Sequence, residues 1–334
     1  MLVRCSNRSS PRRCEASRSA KRFLLVAAVI FSCVAAHADE SDKKDPGDFV
    51  LLFAGGAAGD NTSPTLRRLK ERLRSLDPSH ALLVFTGNYS DGELPDRGEE
   101  GREQAEKAIL AHVEATVDFV RSGGRVYFLP GHRDFASGGT KAVRRLRAFL
   151  NEAFADAVGE PDADDRDVMP QASCGDPTLL ELNDNLGLLL VNSEWWMQDW
   201  TNDPQANEDC EVKTRAGFDK PYSDALHSYR SRRLIVATHH PIKSYGRFGG
   251  SFTARAHLKP VPIVGTAWVL ARQAGLVEQY ENHPMVRSYL DLVFSEAERY
   301  GSYVFVSGHD ASLQYLQLDK QVQIVSGTSS GESP

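Results

Sequence analysis

Short apolar runs alternate along the chain with longer stretches in which apolar residues recur every three or four positions. Phe49–Phe53, Ala81–Thr86, Val126–Leu129, Thr178–Leu182, Leu186–Val191, Leu234–Thr238 and Tyr303–Val306 read as strands. Leu313–Leu318 and Val322–Val325 read as a hairpin across Asp319-Lys320. Helical spacing covers Pro64 to about Leu76, opened by Ser63-Pro64, and Glu99–Val120, where Ala105, Ile109, Val113 and Val117 share a face. It returns at Lys141–Val158, around Tyr222–Tyr229, and at Met285–Tyr300. The long insertion Ser251–His283 carries proline and tryptophan but no clear period. Helices alternate with strands in the first half and paired strands follow in the second. This order predicts sheets packed between helices, with loops gathered at one edge.

Those loops carry the candidate chemistry. The strand at Leu234–Thr238 ends in His239-His240-Pro241, and Pro241 stops it from continuing. A glycine- and serine-rich loop, Ser244–Gly250, follows. Open α/β sheets place ligands at such strand ends. On its own, His-His reads either as one core and one surface histidine or as part of a metal site. The first strand runs into Ala54-Gly-Gly-Ala-Ala-Gly59, which lacks the lysine of a P-loop and the dinucleotide fingerprint, so a tight turn is the better reading.

The amino terminus changes the picture. Seven basic residues from Arg4 to Arg22 precede the apolar run Phe23–Ala36, and Ala36-His37-Ala38 fits a cleavage site. Residues 1–38 therefore read as a signal peptide and 39–48 as a polar linker, with one domain over 49–330. The expected location is periplasmic or secreted. Without residues 1–38 the chain holds 32 basic against 44 acidic residues, a net charge of −12. Such a protein is repelled by nucleic acid and anionic surfaces unless a local basic patch intervenes, and none stands out. No transmembrane segment is expected in the mature chain. Only Cys174 and Cys210 remain, which in an exported protein most simply form one disulfide.

Five strand ends fall in a telling order: Gly55-Gly56, Gly87-Asn88, Gly131-His132-Arg133-Asp134, His239 with Pro241, and Gly308-His309. In order and spacing they resemble the calcineurin-like metallophosphoesterases. The stretches NSEWWMQDW, HHPIKSYGRFGG and VSGHDASLQYLQ resemble a bacterial cell-envelope branch of that superfamily. The resemblance implies a metallo-dependent phosphatase fold, an α/β four-layer αββα sandwich of two packed mixed sheets flanked by helices. It also implies metals at the strand ends and a phosphate ester or other small anionic ligand. A cell-envelope protein is a further possible partner, and nucleic acid is not expected.

Several positions depart from the family pattern. Those that would hold the first metal read Gly56, Asn88 and Ala311; glycine and alanine offer no ligand, and a neutral amide is no bridging carboxylate. Asp60 or Asp91 could rescue part of that site. The second metal position is offered Asn88, His132, His239 and His309, and three imidazoles with an open position form a recognised zinc arrangement. Arg133 stands where the family has an acid histidine; it can grip a phosphate but cannot shuttle a proton. His240 would contact substrate beside the metal, and Asp134 would orient its loop. These replacements point first to a pseudo-phosphoesterase acting by binding. The alternative is a hydrolase of phosphate mono- or diesters with one metal, zinc, iron or manganese, held by His132, His239 and His309.

Overall fold

A computed structural model describes residues 2–5, 49–55, 63–90, 94–96, 98–136, 138–159, 167–198, 200 and 207–327. The predicted linker, most of the glycine loop with Gly56, and Asp60 and Asp91 lie outside the described residues, as does all of the predicted signal segment except residues 2–5.

The first sheet contains β1 (Leu2–Cys5), β2 (Phe49–Ala54), β3 (Ala81–Phe85) and β4 (Arg125–Phe128), in that order. β2, β3 and β4 run parallel and β1 pairs antiparallel with β2. Cleavage after Ala38 would remove β1 and leave β2 at the edge. The second sheet has the order β5 (Thr178–Asn183), β6 (Leu186–Val191), β7 (Arg233–Thr238), β8 (Val304–Ser307), β10 (Gln321–Val325) and β9 (Gln314–Leu318). Its four central strands are parallel, with β5 and β9 antiparallel at the edges.

Each central strand is buried on both faces, which is why it reads as an unbroken apolar run. Leu51, Leu82 and Val84 of the first sheet meet Leu188, Leu190, Ile235 and Ile324 of the second in a shared core. The alternate residues Leu52, Leu83 and Phe85 face outward onto α1 (Pro64–Arg74), α2 (Arg102–Arg121) and α4 (Gly139–Val158). Leu189, Val191, Leu234, Val236 and Phe305 face the other way, onto α5 (Ser193–Met197), α6 (Arg215–Ser228) and α9 (Pro284–Tyr300). The four layers are helix, sheet, sheet, helix, as expected.

The differences from the predicted elements are local. A one-turn helix α3 (His132–Phe135) follows β4, and α6 begins seven residues before the predicted stretch. The insertion read as aperiodic forms two helices, α7 (Ala254–Leu258) and α8 (Pro262–Gln273). They escaped notice because α7 is very short and α8 is apolar on faces that are not buried. Among the described residues no helix is long and apolar enough to cross a membrane.

Cys174 and Cys210 are bonded, and the bridge closes the segment that carries α5 and its buried tryptophans. Ser at both positions is expected to lower the unfolding free energy by about 3–4 kcal/mol, the entropy of closing a loop of 36 residues. Urea denaturation of the Cys174→Ser/Cys210→Ser protein measures this; an unchanged midpoint would show the bridge to be dispensable.

Candidate metal centre

All the chemistry sits at the carboxyl ends of parallel strands. β3 delivers Thr86–Asn88, β4 delivers Gly131–Arg133, β7 delivers His239 and His240, and β8 delivers Gly308 and His309. The two sheets therefore contribute to one place. His239 Nε2 lies 3.1 Å from His132 Nδ1 and 3.2 Å from His309 Nδ1. Together these three side chains form a group that could hold a metal ion.

Two of the three tautomers follow from hydrogen bonding. A carbonyl oxygen can only accept, so a ring nitrogen bonded to one carries the hydrogen. His239 Nδ1 donates to the Thr86 carbonyl at 2.5 Å, and His309 Nε2 donates to the Gln279 carbonyl at 2.8 Å. The opposite nitrogens, His239 Nε2 and His309 Nδ1, then present lone pairs to each other with no hydrogen between them. That is the arrangement a cation resolves, and a ring N–H held by a backbone carbonyl is the usual support for a ligating histidine. Tetrahedral zinc–nitrogen geometry separates ligand atoms by about 3.3 Å, close to the distances seen.

Burial keeps the imidazoles neutral. It pushes His132 down to about 3, helped by His240 and the Arg133 charge. His239 and His309 are held well below the usual histidine range, first by burial and then by neighbouring histidines. Neutral imidazole is the ligating form, so protons compete weakly for this group near neutral pH.

The backbone around the cluster is tight. A Cβ on Gly131 would come within 2.6 Å of Asn88 Oδ1 and His239 Cε1. At Gly87, where φ is +102°, it would meet His239 Nδ1 at 2.6 Å. Asn88 and His309 themselves take left-handed backbone angles, φ 68° and 64°, a costly conformation that clusters at functional sites. Asp134 secures the Asn88 turn. Its carboxyl accepts the Asn88, Gly131 and Tyr89 N–H groups at 2.7, 2.8 and 3.1 Å, and burial raises it to about 6.

The remaining expected site residues are placed as follows. Asn88 Oδ1 accepts the Arg133 N–H at 3.0 Å, so the side chain turns its amide nitrogen toward His132 Nδ1, at 3.4 Å. Arg133 stands beside the cluster and its charge bears on both His132 and His239. His240 is buried, with Nδ1 bonded to Ser193 Oγ and Nε2 to Gln279 Oε1, both at 2.8 Å. Its ring nitrogens are thus engaged, and its ring centre lies 4.4 Å from that of His309, the two rings tilted by 41°. Ala311 offers no ligand atom. The Phe248 ring lies 4.0 Å from that of His309 and covers the cluster; Asp310 fixes its loop by accepting from Ser244 Oγ and the Phe248 N–H.

Two partners carry no sequence signal of their own. Gln279, from the insertion, takes the His309 N–H on its carbonyl and joins His240 to Glu194 with its side chain, Nε2 donating to Glu194 Oε1 at 2.9 Å. Glu194 is fully buried, and burial raises its carboxyl to about 8. Its Oε2 makes no hydrogen bond among the described residues and lies 3.7 Å from His240 Nε2. A second cluster, Cys174, Asp176 and Cys210, has its sulfurs committed to the disulfide.

No protein-family profile matches the chain, and no curated protein does. Among solved structures it is similar to GAP50, the anchor in the inner membrane complex of Plasmodium. The identity is 14% and the TM-score 0.40, over 85% of this chain and 75% of that one. It is also similar to PhoD, at 10% identity and TM-score 0.46, over 84% of this chain and 56% of that one. A third likeness is phosphopantetheinyl hydrolase from Mycobacterium tuberculosis, at 10% identity and TM-score 0.34, over 83% and 89%. These likenesses, with TM-scores below 0.5, say nothing of the chain's activity.

Glu194 yields a pH prediction. Its folded-state pKa of about 8 lies above the unfolded value of about 4.3. The folded state therefore binds the extra proton between these values, so this contribution to stability falls as pH rises from about 4 to 8. Glu194→Gln cannot titrate and is expected to flatten that part of the curve. Thermal midpoints of both proteins across this range measure it; parallel curves would show Glu194 to be ionised in the fold.

Proposed function

We propose that this chain is an exported protein of the calcineurin-like metallophosphoesterase type that holds a single divalent metal ion and acts weakly on phosphate esters. One observation carries the proposal: His239 Nε2, its lone pair set by a backbone carbonyl, lies 3.1 Å from His132 Nδ1 and 3.2 Å from the likewise set lone pair of His309 Nδ1, and the three ligand atoms lie within 4.8 Å of one another. The motif order and the four-layer fold support the family reading. The disulfide and the basic-apolar amino terminus support export.

His132, His239 and His309 would hold the metal, which when bound supplies a Lewis acid and a water made acidic enough to ionise near neutral pH. Arg133 would bind the phosphoryl oxygens as a fixed cation. Asn88 would donate its amide N–H toward an anion at the same mouth. His240, with both nitrogens bonded, positions the Gln279 segment that orients His309. The paired-metal site of the family is degraded here: Ala311 offers no ligand, and the Asn88 oxygen is taken by a backbone N–H.

A second reading, a pseudo-phosphoesterase that binds an anionic ligand or an envelope protein without turnover, is favoured by two features. The metal-ligating group among the described residues holds no carboxylate, and Phe248 lies over it.

Elemental analysis of protein purified without chelators separates these readings from a metal-free fold. About one zinc, iron or manganese per chain is expected, lost in His309→Ala and His239→Ala. A chromogenic phosphodiester then tests turnover: activity that disappears with the metal supports the hydrolase, while metal without turnover leaves the binding reading. A folded, metal-free wild-type protein would overturn the single-metal proposal.

A further inference from the structure

The insertion between β7 and α9 presents a surface that the candidate metal centre does not use. α7 and α8 pack on each other through Gly265, where a Cβ would meet the His257 and Lys259 carbonyls at 2.6 Å, and α8 buries Val269. The outer side of the pair is apolar. Leu258, Val261, Ile263, Val264, Trp268 and Leu276 are each more than half exposed, Ile263 at 85%. A contiguous patch of this kind on one hairpin is uncommon on a water-facing surface and marks a docking surface.

Charge identifies what docks there. The chain is acidic overall, yet no Asp or Glu occurs from Pro241 to Val277, while Lys243, Arg247, Arg255, Lys259 and Arg272 all fall in that stretch. Arg255 and Lys259 are exposed beside the apolar residues and have no carboxylate partner among the described residues. Arg247 is also exposed, its Nε bonded to the Tyr280 hydroxyl. Arg272 lies over the Trp268 ring, 4.9 Å from its centre. An exposed apolar hairpin that carries a tryptophan and several cations, and no carboxylate of its own, has the composition of an element that lies in a bilayer interface. A local basic stretch is therefore present after all: Arg247, Arg255, Lys259 and Arg272 fall within 26 positions that hold no carboxylate, and the Arg247 charge bears on Arg272 in the fold.

We propose that the α7–α8 hairpin docks this protein onto the surface of an anionic phospholipid bilayer, with Ile263 and Trp268 entering the interface and Arg255 and Lys259 meeting lipid phosphates. The hairpin does not float free of the metal centre. Arg272 also lies over Tyr280, Tyr280 packs 5.2 Å from Phe248, and Phe248 covers His309. Docking would hold the covered mouth of the cluster near the membrane. The proposal stands whether or not a metal binds.

Tryptophan fluorescence tests it residue by residue. Trp195 and Trp196 are buried and Trp200 is half-buried, so Trp268 is the one indole of the four open to lipid. The protein as purified from the expressing cell is titrated with vesicles of phosphatidylcholine and phosphatidylglycerol carrying brominated acyl chains. Quenching is expected, to be absent in Trp268→Phe, and to weaken as salt is raised. Arg255→Gln/Lys259→Gln should bind about 25-fold more weakly, taking a factor of about five for each charge near an anionic surface. These side chains are exposed, so an unchanged thermal midpoint confirms that the variants fold. No quenching, quenching that persists in Trp268→Phe, or equal binding to neutral vesicles would overturn the proposal. So would a lipid-independent dimer abolished by Ile263→Asp, which would assign the face to a second copy of the chain.

Discussion

The hydrogen bond from His239 to the Thr86 carbonyl is the contact on which the rest of the centre depends. Thr86 ends a strand of one sheet and His239 follows a strand of the other, so one imidazole spans the sandwich. The bond does two things at once. It ties the two sheets together at their carboxyl ends, and it fixes which nitrogen of His239 is left to bind. The glycines at 87 and 131 follow from it, because any side chain there would occupy the space of the His239 ring. A binding nitrogen is thus specified by how closely two sheets pack rather than by a flexible loop.

The two buried carboxyls near the cluster show how burial divides labour among similar groups. Asp134 accepts three backbone N–H groups and holds the Asn88 and His132 turns together, which favours its charged form against its burial. Glu194 accepts only side-chain amides, from Gln279 and Gln198, has no backbone donor to offset burial and sits raised to about 8, with its other oxygen 3.7 Å from His240 Nε2. Neither reaches the histidine group as a ligand. The cluster is therefore neutral, and a divalent cation there would keep its charge uncancelled by protein ligands. That excess charge would attract an anion, and the Arg133 charge, which bears on His132 and His239, adds to it.

Much of this was legible in the sequence, and the exceptions have physical causes. The central strands read clearly because both of their faces are buried, making them continuous apolar runs. His132, His239 and His309 could be grouped because each ends a strand and strand ends converge. Thr86 and Gln279 could not be found, since they act through main-chain carbonyls that every residue possesses. The role of Asn88 was also hidden: an amide can offer oxygen or nitrogen, and only the Arg133 N–H in the fold decides which one faces His132. Glu194 looked like one polar residue before two tryptophans, and nothing local marks it as buried.

The insertion was opaque for a different reason, and that reason is informative. Periodicity reveals a helix only when one side is buried and the other is wet. α8 buries Gly265 and Val269 yet keeps Ile263, Val264, Trp268 and Leu270 outside, so apolar residues lie all around it and no period emerges. The same segment ends in Gln279 and Tyr280, which do pack, against His309 and Phe248. One insertion thus meets two constraints. Its base packs against the candidate metal centre, and its tip leaves apolar side chains exposed among the described residues.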